Sequence, residues 1–170
     1  MTMQYDVKQA HLNQSGILVP FGTRIKAISF TGSATAGSLT LFDTVTAPVT
    51  TGSYARSGTT VTVTQASHGL TTGQVIGIDF NVGTGGAATN GNYAVTVLTS
   101  GTFTVTDINS GTISASPTLS YSTGKWLATY DVTANDSYNN APFIPGEGLL
   151  AKNGVYAYMV NLGAANIYYG

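Results

Sequence analysis

Charge is what this chain has least of. Asp, Glu, Lys and Arg together make 8% of 170 residues, six basic against seven acidic, for a formal net charge of −1. A typical soluble domain carries about 25%. Cationic nucleic-acid recognition has no basis here: the bases are scattered as Lys8, Arg24, Lys26, Arg56, Lys125 and Lys152. Cysteine is absent, which excludes disulfides, thiolate nucleophiles and cysteine-ligated metals. No apolar run approaches the roughly 18 residues of a membrane-spanning helix. The opening MTMQYDVKQAHLNQ lacks the apolar core of a signal peptide. The chain is therefore expected neither to span a membrane nor to be exported by that route. No stretch sustains a capped 3.6-residue apolar period, so helices are not expected.

What remains is a β composition. Hydrophobic residues make 42% of the chain, with ten Tyr and six Phe, enough to build packing surfaces and to argue against disorder. The clearest pattern lies in Tyr54 to Asp107. In TTVTVTQASHGLTTGQVIGIDF (Thr59–Phe80), Val61 and Val63 alternate with Thr60, Thr62 and Thr64. In NYAVTVLTSGTFTVTD (Asn92–Asp107), Phe103 and Val105 alternate with Thr102, Thr104 and Thr106. Period two with β-branched residues is the mark of half-buried strands.

Before this module, strands are expected at Ile17–Val19, ended by Pro20, at Thr23–Thr31 and at Ser38–Asp43. Residues 1–16 read as a polar arm, loose or ordered by a neighbour, and deleting residues 1–14 should leave the sandwich folded. Thr44–Ser53, with Pro48, and Ile108–Gly124 read as two connections. After them come Lys125–Thr133, then Leu149–Ala151 and Val155–Val160 around Asn153-Gly154, a strong hairpin signal. Asn161–Ala165 contains a further turn, and Asn166–Tyr169 closes the chain as a strand. Neither flank alone closes two packed sheets. The expected architecture is all-β: a jelly-roll-like β-sandwich host from residues 1–50 and 120–170, with a small β-barrel-like module inserted at 51–119. A simple tandem of two or three domains is the alternative.

The polar side chains offer little chemistry. His68, in Ser67-His68-Gly69-Leu70, has only His11 as a fellow histidine and reads as a turn residue bonded to backbone. Asp79, Asp107, Asp131, Asp136 and Glu147 stand isolated, with no pairing of the kind glycoside hydrolysis needs. The serines lack a nucleophile elbow. The glycine-rich run Asn81–Gly91 lacks the Gly-Lys-Ser/Thr ending and helix of a phosphate loop; it reads as a long mobile hairpin loop, or one ordered by a neighbouring subunit. No catalytic, cofactor or metal residue is expected.

Aromatics are the more informative set: Trp126, Tyr130, Tyr138, Phe143, Tyr156, Tyr158, Tyr168 and Tyr169. If Val155, Ala157 and Met159 fill the core, Tyr156 and Tyr158 face the other way. That face suits a subunit interface, a sugar platform or internal packing of the reverse side. A surface so poor in charge favours burial in a permanent assembly.

Two stretches carry a resemblance. VTVTQASHGLTTGQVIGIDF with NGNYAVTVLTSGTFTVTD resembles a small β module recurrent in virion and tail proteins of tailed bacteriophages, although Gln74 stands where an acidic residue is common. FGTRIKAISFTGSATAGSLTLFD and PGEGLLAKNGVYAYMVNLGAANIYYG resemble small β-sandwich structural proteins of phage particles. The resemblance covers about three quarters of the chain and implies a non-enzymatic virion protein without cofactors. It points to a capsid decoration (cement) protein, a homotrimer seated on the major capsid protein or another virion protein and assembled in the host cytoplasm. A tail ring or fibre component, or a carbohydrate-binding receptor-recognition module, is the alternative.

Overall fold

The computed structural model describes residues 7–114, 116–138 and 147–170, without the side chains of 137 and 138. The chain is all-β, with three antiparallel sheets, no closed barrel and no helix among the described residues. It divides into two compact units: Met1–Ala47 with Leu127–Gly170, and Pro48–Trp126.

The outer unit is a sandwich. One sheet comprises β1 (Lys8–Leu12), β15 (Leu162–Tyr169), β3 (Thr23–Gly32) and β12 (Ser137–Tyr138), with β13 (Leu149–Ala151) also on β3. The other runs β11 (Lys125–Val132), β4 (Gly37–Asp43), β14 (Val155–Val160), β2 (Gly16–Val19). Both sheets feed one core that includes Val19, Ile25, Ile28, Phe30, Leu39, Leu41, Val155, Ala157 and Ile167. Alternation of apolar residues over Ile28–Phe30 of β3 and along β14 supplies this layer, and a register shift between Ile25 and Ala27 brings Ile25 onto the same face.

Two expectations about this unit fail. Residues 8–12 are no loose arm: Lys8 to Leu12 pair with Tyr169 to Ala165, and Ala10 and Leu12 pack on the core. Polar residues on their outward positions hide an edge strand, which needs only alternate residues turned inward. Asn153-Gly154 does turn the chain, but it makes no hairpin, because β13 pairs with β3 while β14 pairs with β2 and β4. The turn is a corner between sheets. Buried Asp43 holds it by accepting the Asn153 amide at 2.6 Å. Gly154 sits there at φ +115°, where a Cβ would lie 2.7 Å from the Val19 carbonyl oxygen.

The inner unit is a single six-stranded sheet ordered β7 (Gly91–Ala94), β6 (Val75–Phe80), β10 (Thr118–Ser122), β5 (Val49–Thr64), β9 (Thr102–Ile113), β8 (Thr96–Thr99). Strands extend into both stretches expected to be connections, Val49–Ser53 and Ile108–Gly124. Their small polar residues tolerate a strand whose neighbours supply the apolar face. Laid flat, six strands would set the outer two about 24 Å apart. Yet β7 and β8 are separated in the chain by one residue, Val95, which is buried. The sheet must therefore roll up. Its inner face gathers Val61, Val63, Ile76, Ile78, Phe80, Phe103, Val105, Leu119 and Tyr121. The stretch 91–99 is split into two strands at Val95 for the same reason: one segment serves both edges of the rolled sheet.

Candidate functional site

Of the eight aromatics singled out above, Phe143 lies outside the described residues, and the side chain of Tyr138 is not described. Tyr130 turns inward, packing on the sandwich core with its ring 6.3 Å from Phe30, and burial raises its hydroxyl pKa. Tyr156, Tyr158 and Tyr168 are half-buried. On β14, Val155 and Ala157 are fully buried and Met159 packs on the core, so the tyrosines take the opposite face. Beside them on β4, Thr40 and Phe42 are nevertheless fully buried. Trp126 is half-buried in the inner unit, its backbone clamped by the Asn92 amide through bonds of 2.8 and 3.0 Å.

Tyr169 has a different setting. Its ring meets Phe21 edge to face at 6.2 Å and 63°. The two line a hollow of about 490 Å³ with Lys8, Arg24, Leu150 and Lys152. Phe21 was not singled out from the sequence. The only hint was an aromatic following Pro20 at the end of a strand.

Inside the inner unit the structure joins polar residues that looked isolated. Arg56 and Asp107 form a buried ion pair at 2.5 Å. Asp107 also accepts the Asn109 amide at 3.1 Å and the Thr89 amide at 3.3 Å. Burial pushes its carboxyl up, but bonds from Thr89, Asn109 and Arg56 outweigh that and leave the pKa below the ordinary value. Asp79, also buried, accepts from the Asn90 side chain, whose oxygen takes the Phe80 amide at 2.7 Å. Tyr54 donates to the Asn81 carbonyl at 2.6 Å and Tyr93 to that of Thr89. The glycine-rich run is thus tied down by its own chain, contrary to the expected mobile loop. The signal was present: Asp107 continues the inward positions of Phe103 and Val105.

Both carboxylates of this network are buried and engaged, Asp107 by loop amides and arginine and Asp79 by the Asn90 side chain. Its chemistry is anchoring. His68 is equally occupied: Nδ1 accepts the Leu70 amide at 3.0 Å, so Nε2 donates to the Thr99 carbonyl at 2.9 Å. Its ring stands edge-on to Phe103 at 5.2 Å. Among the described residues no three His, Asp or Glu side chains gather to hold a metal ion.

No family model, no curated protein and no solved structure matches this chain.

Proposed function

We propose that the protein is a non-enzymatic virion component, a capsid decoration subunit that acts by covering surface between copies and on a particle shell. One observation carries the reading: the scarcity of charge on the folded surface. Arg56, Asp43, Asp79 and Asp107 are buried, leaving at most nine of the thirteen ionic side chains to keep the chain dissolved. Meanwhile Val82 and Ile108 are each 80% exposed, with Leu98, Phe21 and Val75 about half exposed. Such a surface suits permanent contact better than solitary life in water. Repetition over a closed shell sums modest interfaces into mechanical strength, which needs area and shape rather than reactive groups. The sequence resemblance to phage particle proteins supports the same reading.

The test has two parts. Light scattering on the purified chain should give an oligomer, a trimer on this reading. Immunogold labelling of particles from cells producing the protein in its native context should decorate the heads of tailed virions. Label confined to tails would move the protein to a tail ring or fibre. A monomer at every concentration, together with unlabelled particles, would overturn the reading.

A further inference from the structure

The hollow beside Tyr169 collects an unusual share of the chain's charge. Lys8, Arg24 and Lys152 are three of only six basic residues, and all line it. Among the described residues no side chain that lines it is acidic. Among the described residues none of the three forms a salt bridge. The fold brings them together from three strand ends. Lys8 on β1 is paired with Tyr169 on β15, and Arg24 on β3 with Leu150 on β13. Lys152 follows β13 directly. Gly22 allows the approach, since a Cβ there would lie 2.7 Å from the Lys152 carbonyl oxygen. The four strands place this row within about 15 Å.

Gly170 also lines the hollow, and even with a carboxylate there the three cations outnumber the anions; like charges so gathered repel, and a further anion relieves that repulsion. The walls are apolar and aromatic: Phe21 at 51% exposure, Leu150 at 44%, and the half-buried Tyr169. Because Phe21 and Tyr169 meet edge to face, they leave no parallel slot for a flat nucleobase. They do offer ring faces to a puckered, partly apolar body. A volume of about 490 Å³ falls in the range of small-ligand sites, roughly 300–1,000 Å³.

We propose that this hollow binds an acidic saccharide, a sugar ring lying on Phe21 and Tyr169 with its carboxylate taken by Arg24 and flanked by Lys8 and Lys152. Arginine suits the carboxylate because its planar fork donates two parallel hydrogen bonds, while the lysines act as point charges. The site does not depend on the virion reading: a decoration protein and an unrelated binding protein could equally carry it.

Titration calorimetry on the full chain tests it, with a uronic-acid trisaccharide, its neutral counterpart, inorganic phosphate and a short acidic peptide as probes. The uronate should bind one to one, and weaken about tenfold when salt rises from ~0.05 to ~0.5 M as screening sets in. Arg24→Gln should lower uronate affinity about tenfold. The exposed Phe21→Ala should also weaken uronate binding, yet leave any phosphate binding unchanged. Circular dichroism checks that both variants fold. Equal binding of the neutral sugar, no uronate binding, or indifference to Phe21→Ala would each overturn the proposal. Tighter binding of the acidic peptide would overturn it in favour of a protein partner.

Discussion

Arg56 and Asp107, 51 positions apart, meet at 2.5 Å in the interior of the rolled sheet. A register shift between Gly58 and Thr60 makes this possible. It moves the buried positions of β5 from even to odd, so that Tyr54 and Arg56 point inward along with Val61 and Val63. Gly58 takes φ +63° at that irregularity. The guanidinium lies where a Cβ on Gly111 would come within 3.0 Å of it.

Removing one partner should be costly, because it strands a buried charge. Asp107→Leu is expected to destabilise the inner unit by about 3–5 kcal/mol, whereas Arg56→Met combined with Asp107→Leu should cost clearly less than the single change. Urea denaturation followed by tyrosine fluorescence measures both. A double variant as unstable as the single one would show that the pair's worth lies elsewhere.

Acid should remove the same contribution. The folded-state pKa of Asp107 is lowered. Its stabilisation is therefore complete above the unfolded value of about 3.9 and disappears as pH falls through the folded value. The stability gap between the native chain and Asp107→Asn should accordingly be full at pH 6 to 7 (about two to three units above that value) and shrink below about 4. A gap that stays constant into strong acid would contradict the assignment.

Alkali should act through tyrosine. Burial, with a smaller contribution from the Asp107 charge, raises Tyr93 to about 12. Burial also raises Tyr54 and Tyr121. Each contributes stability that is fully present below the unfolded value of about 10 and lost as pH rises through the folded one. Tyrosinate absorbance should show exposed tyrosines ionising near 10 and a later group ionising together with unfolding. Replacing Tyr93 by Phe should diminish that later step.

Gly77 has no room for a side chain. A Cβ there would stand 2.1 Å from the Trp126 amide nitrogen, and the Gly77 amide itself donates to the Gly124 carbonyl at 3.0 Å. Gly77→Ala should therefore lower stability by about 1–3 kcal/mol as the strand ends are pushed apart. Thermal melting would show it, with Gly69→Ala, where the strain comes from φ +66° rather than contact, as a comparison of different origin.

Deleting residues 1–12 should destabilise the sandwich rather than merely trim it. The cut removes β1, uncovers the edge of β15 and strips Ala10 and Leu12 from the core. Loss of about 2–4 kcal/mol is expected from the two apolar side chains and five paired positions. A melting temperature equal to that of the full chain would refute this.

The sequence by itself determined the class of fold and much of its core. Alternation of Val, Ile, Leu and Phe with Thr and Ser leaves only strands, and it set Val61 with Val63, Phe103 with Val105 and Val155 with Ala157 on common faces, because a pleated strand has just two faces. It was silent on partners across long separations. That Lys8 lies beside Tyr169, that Asn153-Gly154 turns from one sheet to the other, and that Val95 joins both edges of a rolled sheet all depend on pairing between strands far apart in the chain. Backbone hydrogen bonds, which carry no residue identity, make those pairings. Only the packed tertiary structure selects among them, and with them it decided which scattered charges became a buried pair and which became an open cationic hollow.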